Sequence, residues 1–368
     1  MRNLERVRAV HRVGAVELVP FPGPRPRLEL RLRTAVFRAA VGFSIGAILV
    51  VTFVRLVNVG AVSSRLAHLR IAPALFCGVA FLGAYFVRAM RWRCLLGPSW
   101  VSIGRAAGIY QVATFLNWML PIRGGELAKS LLLRRLNGIP VSQSLATVSM
   151  DKAMDLLPAL GLLALLPFVR LRMTRALWLL LLFALTVVTL GIITIAVAAW
   201  RRQQVLRLLT RPFAVLGRTD LRERAQPFAV RFLDTLIAMV HRPRLILTAM
   251  AFTALAVSLD ALFCLLAFQA VGVGVAVPAV LYGYTLFNLA FLLPTPPGQV
   301  GSNELVGLAI FSGGFRLGRS GVAAMFVFSH PWTAVLMATS GLLCLSAMGL
   351  SLRASLRLAG DNPEGQPA

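Results

Sequence analysis

The chain has 368 residues, of which 58% are hydrophobic and 14% charged, with a mean hydropathy of +0.78. A soluble globule of this composition would lack the polar surface to cover itself, so the sequence describes a polytopic membrane protein. The net charge of +25, from 38 basic against 13 acidic residues, lies mostly in arginines between apolar runs without aromatic interleaving, which favours an anionic membrane surface over nucleic acid.

Residues 1–35 form a basic arm with the proline-rich stretch PFPGPRPR, and we read no cleavable leader ahead of the first span. Full spans are expected near 36–57, 71–90, 143–167, 176–199, 245–270 and 320–351, each close to the ~20 apolar residues that cross a bilayer. The last is long enough to tilt or to break at Pro331. Arginines in the arm, in RAMRWR after the second span and in the connection 200–244 set these segments on the cytoplasmic side. Within that connection RFLDTLIAMV places apolar residues on one helical face suited to the membrane interface. The polar tail 353–368 follows, and both termini are expected in the cytoplasm of a bacterium, with the protein in its inner membrane.

Two further apolar stretches are each split in the same way. The first breaks at LPIRGGE and the second at LPTPPGQVGSNE. In both, an asparagine (Asn117, Asn288) precedes Leu-Pro (Pro121, Pro294), glycines follow, and a glutamate (Glu126, Glu304) opens the returning helix. Proline frees a carbonyl and glycine lets the chain reverse, so the breaks Pro121, Gly124, Gly125 and Pro294, Pro296, Pro297, Gly298, Gly301 stop the helices. Such backbone survives in hydrocarbon only when buried in protein or lining a wet cavity. Each arm is about 20–24 Å at ~1.5 Å per residue, shorter than a crossing of ~30 Å. The expected fold is therefore an all-α transmembrane bundle with about six full spans and two re-entrant helical hairpins, inverted relative to each other. Ser302 or Asn303 is the expected N-cap of the second returning helix.

Charged residues inside apolar segments are costly and point to function. SMDKAMDLL puts Asp151 and Asp155 on one face beside Lys152, and like charges there demand a cationic partner, for which Arg123 and Lys129 are the candidates. Arg88 and Arg91 share a face of the second span, and guanidinium forks suit lipid phosphate. The plainer alternative is positive-inside anchoring with an aromatic belt at Trp92. Asp260, deep in the fifth span, fits a structural pairing as well as a transport role. Cysteines without CxxC spacing and scattered histidines argue against a disulfide framework or a metal site. No cofactor or catalytic residue is expected.

Four stretches, RAMRW, NWMLPIRGGELAKSLLL, DKAMDLL and LPTPPGQVGSNELVGLAIF, occur in an order that resembles the lysylphosphatidylglycerol synthase transmembrane family, also described as flippase-like or UPF0104 membrane proteins. The resemblance covers about 36–352. It implies a membrane domain related to the lipid-translocating half of bifunctional aminoacyl-lipid synthases. By position, Arg123, Gly125 and Glu126 match the first hairpin element, Asp155 a downstream aspartate, and Pro297, Gly298, Gly301 and Glu304 the second hairpin; Lys152 stands where the family commonly shows arginine. The sequence ends shortly after the last span, so no soluble transferase domain and no synthase activity are expected.

These readings favour a lipid translocase in which Arg123, Lys129, Lys152, Arg88 and Arg91 bind an anionic lipid headgroup, and Glu126, Asp151, Asp155 and Glu304 balance them or relay protons. A membrane-embedded lipid-modifying enzyme is the alternative, although the sequence has no DDxxD, no nucleophile triad and no cysteine-histidine cluster. An accessory subunit for a separately encoded lipid-modifying enzyme is a third reading. Membrane lipids are the expected partners, a second copy of the chain stays open, and nucleic acid is not expected.

Overall fold

A computed structural model of the protein describes residues 26–97, 101–119, 124–165, 175–207, 219–290 and 295–350. The expected arm up to residue 25, Pro121, Arg123, Pro294, residues 166–174 between the third and fourth expected spans and the tail 353–368 lie outside the described residues. The chain divides into two units, Met1–Val41 and Gly42–Ala368, and the architecture below concerns the second.

All regular structure among the described residues is helical. In chain order the helices are α1 (Pro26–Leu56), α2 (Val59–Ala67), α3 (Ile71–Leu96), α4 (Ile103–Met119), α5 (Gly125–Asn137), α6 (Val141–Leu165) and α7 (Arg175–Trp200). There follow α8 (Thr219–Val240), α9 (Pro243–Ala270), α10 (Val277–Ala290), a 3₁₀ turn at Pro297–Gln299, α11 (Ser302–Gly307), which runs into a π-helical segment at Leu308–Gly314, and α12 (Arg319–Ala347). Helix already begins within the last residues of the expected arm, since α1 starts at Pro26.

Helices stand at each position expected for a span. Among the described residues α3, α9 and α12 are long and apolar enough to cross a membrane. The first expected span is continuous helix to Leu56, and a 90° bend follows it before Val59–Ala67. Asn58 makes the bend by capping α2, its Oδ1 accepting from the Ala61 amide at 3.0 Å, which satisfies one of the donors that every helix start leaves open. Pro331 does not end α12, which continues to Ala347.

The core is built where α3 packs along α9. Phe81 meets Phe263 at 5.5 Å between ring centres, and Cys77 and Cys264 are fully buried there as free thiols that act as small apolar groups. A second cluster gathers Trp92 of α3, Tyr110 and Leu116 of α4, and Leu132 and Leu133 of α5. A third joins Met150 and Met154 of α6 to Met239 of α8 and Ala249 of α9. The apolar face of RFLDTLIAMV thus packs on protein through Leu233 and Met239, both buried, rather than only on the interface expected for it. Outside, Phe76, Val79, Leu247 and Leu343 are largely exposed; apolar surface on long helices of this kind belongs against lipid.

Candidate functional site: a charged ring on a cavity between the helices

The two split stretches both form paired short helices. In the first, α4 and α5 pack against each other, and their approach is so close that a Cβ on Gly125 would lie 2.1 Å from the Ala113 carbonyl oxygen. Asn117 fastens the pair: its Oδ1 accepts from the Gly125 amide at 2.7 Å, and its Nδ2 donates to Glu126 Oε1 at 3.1 Å. The asparagine of α4 therefore caps the helix that returns beside it, which places Glu126 and Lys129 one turn apart on the inward side of α5. Gly124 keeps an ordinary right-handed conformation, so the close approach at Gly125 is where glycine is required.

In the second, the turn between α10 and α11 passes through Pro296 and Pro297 and takes positive φ at Gly298 (+64°) and Gly301 (+75°), the region that costs a residue with a Cβ. The N-cap of α11 is Gly301, without a side-chain cap bond, and the Ser302 hydroxyl donates back to the Gln299 carbonyl at 2.9 Å. This corrects the expectation of Ser302 or Asn303 as cap: the positive-φ glycine ends the turn one residue earlier.

The charged residues of α3, α5, α6 and α9 meet in one continuous network. Arg91 is fully buried. Its Nε donates to Asp151 Oδ1 at 2.8 Å, its Nη2 to Asp155 Oδ1 at 2.6 Å and to the Asp151 carbonyl at 3.0 Å, and its Nη1 to Thr253 Oγ1 at 3.0 Å. Arg88 forms a fork with both carboxylate oxygens of Asp260 and lies 3.7 Å from Asp155. Lys129 Nζ is 3.2 Å from Glu126 and 3.6 Å from Asp151, and it sits 3.6 Å from the centre of the Tyr110 ring and 5.5 Å from that of Trp92. Lys152 closes the ring, 3.0 Å from Glu126 and 3.6 Å from Asp155. Charge is matched one for one: Arg88, Arg91, Lys129 and Lys152 against Glu126, Asp151, Asp155 and Asp260. Buried ions need this, because an uncompensated charge away from water is far more costly than a paired one.

The ring borders a cavity of about 1390 Å³. Arg88, Lys129, Lys152, Glu126 and Asp155 contribute to its wall, and so do Asn117 of the first hairpin and Gln299, Asn303 and His330 near the second. Aromatic side chains, including Phe81, Tyr85, Tyr284 and Phe287, line much of the remainder. Lys152, with 49% of its side chain exposed, is the most accessible charge of the ring.

The structure therefore joins Arg88, Arg91, Lys129, Lys152, Glu126, Asp151 and Asp155, as grouped from the sequence, and gives Lys129 to Asp151 as a partner. The arginines of α3 do share a face, but it is turned to aspartates. Glu304 stands apart from the ring and bonds His330 Nδ1 at 2.5 Å. Sequence reasoning missed His330, Tyr110, whose hydroxyl donates to Asp151 at 3.3 Å, and the capping role of Asn117. Asp260 and Arg88, both ionisable groups inside long apolar helices, carried the signal of their own pairing. Among the described residues no group of three or more histidine, cysteine or acidic side chains is arranged to hold a metal ion.

Long apolar helices packed around a charge-balanced network that borders a cavity define a multi-pass helical membrane protein with a polar site between its helices. Residues 39–338 match the model of the lysylphosphatidylglycerol synthase TM region, and the chain belongs to that family. It is also similar to a UPF0104 membrane protein of Methanothermobacter thermautotrophicus, with 28% identity over 244 residues that cover 62% of this chain and 70% of that protein. No solved structure matches the chain.

Proposed function

We propose that the protein is a lipid translocase of the flippase-like type, which moves a phosphate-bearing, anionic headgroup through the cavity while the acyl chains stay in the bilayer. The observation that carries this reading is the ring of matched charges on the wall of a cavity between apolar helices. A headgroup must exchange its hydration for something of comparable polarity on the way across, and an array of paired cations and carboxylates supplies it without leaving a bare charge in the empty state. Lys152 is the cation placed to meet phosphate first. Arg88 and Arg91, held by aspartates, shape the ring rather than grip the lipid. Glu126 and Asp155 release Lys152 when phosphate takes their place, and they can meet an amine on the same headgroup.

The short paired helices support re-entry. The 17 residues of α4 and the 13 of α5 span about 25 and 20 Å at ~1.5 Å per residue, and the 14 of α10 about 21 Å, all short of a hydrocarbon core of ~30 Å. Broken helices in corresponding places of the two halves mark the central site of many transporters. In this reading α4–α5 enters from the cytoplasm and α10–α11 from the opposite side of a bacterial inner membrane, with six full spans around them and both termini cytoplasmic. A separately encoded lipid-modifying enzyme is the partner that such a carrier would serve.

The test is translocation in proteoliposomes with head-labelled phospholipids of several classes and a quencher confined to the outside. The wild type should accelerate the loss of protected signal for an anionic lipid, and Lys152→Gln should slow it at least several-fold. Rates equal to those of protein-free vesicles for every lipid class would refute the proposal.

A further inference from the structure

His330 of α12 faces an acceptor with each ring nitrogen. Nε2 lies 2.8 Å from the Gly298 carbonyl, in the turn of the second hairpin, and Nδ1 lies 2.5 Å from Glu304 Oε1, in the first turn of α11. A carbonyl can only accept, so Nε2 carries a hydrogen. The contact at Nδ1 then needs a second proton, either on the imidazole, which donates to a carboxylate, or on Glu304, which donates to the ring. Without it a lone pair would face an ionised oxygen at hydrogen-bond distance. Only 11% of the His330 side chain and 13% of the Glu304 side chain are exposed, so little water is present to screen that repulsion. The other glutamate oxygen, Oε2, is buried and has no hydrogen-bond partner among the described residues. A protonated carboxyl tolerates this better than a carboxylate does.

We propose that Glu304 and His330 form a proton-binding site that fastens the turn of the second hairpin to α12, and that loss of the shared proton releases the turn. The fastening spans two elements: one proton ties α11 and the Gly298 turn to the same imidazole. Gln299 and Asn303, on either side of that turn, line the cavity together with His330, so release alters the wall along which a headgroup would move. The site goes beyond the translocase reading, since it requires only that the hairpin and α12 be folded as described.

Other ionisable groups on the elements packed against α12 are engaged elsewhere. Arg65 of α2 donates to the Val271 carbonyl at 3.4 Å. Arg88 of α3 and Asp260 of α9 hold each other, Arg91 of α3 and Tyr110 of α4 hold Asp151, and Arg93 of α3 donates to the Val101 carbonyl. The thiol of Cys77 donates to the Ala74 carbonyl, and Arg105 of α4 is exposed. Among the described residues Glu304 is the charged group that meets the imidazole.

The experiment places a nitroxide on Val300→Cys, a position 45% exposed within the turn, in full-length protein whose native cysteines are replaced by alanine and which is held in lipid nanodiscs. Spectra are taken from about pH 5 to about pH 9, the range in which histidine commonly changes charge. The wild-type dyad should pass from an immobilised to a mobile line shape as pH rises. Glu304→Gln supplies a neutral amide donor to Nδ1 and leaves Nε2–H on Gly298, so it should stay immobilised throughout. His330→Ala should be mobile throughout. A wild-type line shape independent of pH, or a transition that persists in Glu304→Gln, would overturn the proposal. The readout needs no lipid movement, so a pH-dependent turn in a protein that moves no lipid would count against translocation and not against the proton site.

Discussion

Arg91 and Lys152 show how the same formal charge does different work according to burial. The Arg91 fork spends its donors on Asp151, Asp155 and Thr253 in a fully buried position. A lysine ammonium there keeps the charge but cannot reach three acceptors in a plane. Arg91→Lys is therefore expected to lower stability by about 1–3 kcal/mol, the range for leaving a buried acceptor without its donor, read as a drop in the melting temperature of the purified protein. Lys152 is half exposed, and its partners keep other cations, Lys129 beside Glu126 and Arg91 and Arg88 beside Asp155. Lys152→Gln leaves the ring with one carboxylate in excess and should cost less stability than Arg91→Lys while losing translocation. Equal thermal losses in the two variants would show that the ring is one structural unit with no accessible member. The sequence displayed both residues as charges in apolar surroundings, but burial depends on which helix packs on which face, and that is decided by contacts such as Arg91–Thr253, separated by 162 positions.

The split stretches were legible as elements because proline and glycine act locally: no tertiary information is needed to see that a helix stops. What closes each hairpin was less legible, and the two differ. In the first, Asn117 caps the returning helix; in the second, Glu304 turns to His330 of α12, a partner that no local pattern reveals. The apparent repeat is thus one of breaks, with different fastenings. Gly125→Ala should disrupt the first hairpin, since the added methyl would stand 2.1 Å from the Ala113 carbonyl, against backbone that cannot yield; loss of monodisperse folded protein on gel filtration is the expected outcome. Gly301→Ala combines the strain of positive φ, about 1–2 kcal/mol, with a Cβ only 2.5 Å from that of Leu49, and should also destabilise. A milder link joins α8 to the end of α7 through Asp234 and Arg202, with bonds of 2.6 and 2.8 Å on an exposed face. Arg202's donors hold the Asp234 carboxyl below its ordinary range. The folded state therefore gains above the unfolded carboxylate's titration and loses that gain as pH falls through the depressed value. Solvent screening keeps the contribution small, and Asp234→Asn should remove only a slight acid-side slope in stability.

At the scale of the molecule, composition alone identified a membrane protein, and the order of the motifs pointed to the family that the comparison of residues 39–338 then established. The bend after the first span, by contrast, was not legible in the sequence, because the turn at Asn58 depends on a single cap. The arrangement of the two hairpins across the bilayer is the global property on which a central cavity depends. If they enter from opposite sides, their open ends face opposite compartments: the end of α5 at Arg135 and the start of α12 at Gly318 must then differ in access. Both positions suit labelling, since Arg135 is exposed and a Cβ at Gly318 meets no atom within 4 Å. With a membrane-impermeant maleimide, Gly318→Cys should label in intact cells and Arg135→Cys only in inside-out vesicles, because the arginine-rich side faces the cytoplasm. Labelling of both from the same side would mean that the hairpins run in parallel. Their turns would then lie at one depth from one surface, and the cavity would be a vestibule open to a single compartment rather than a route between two.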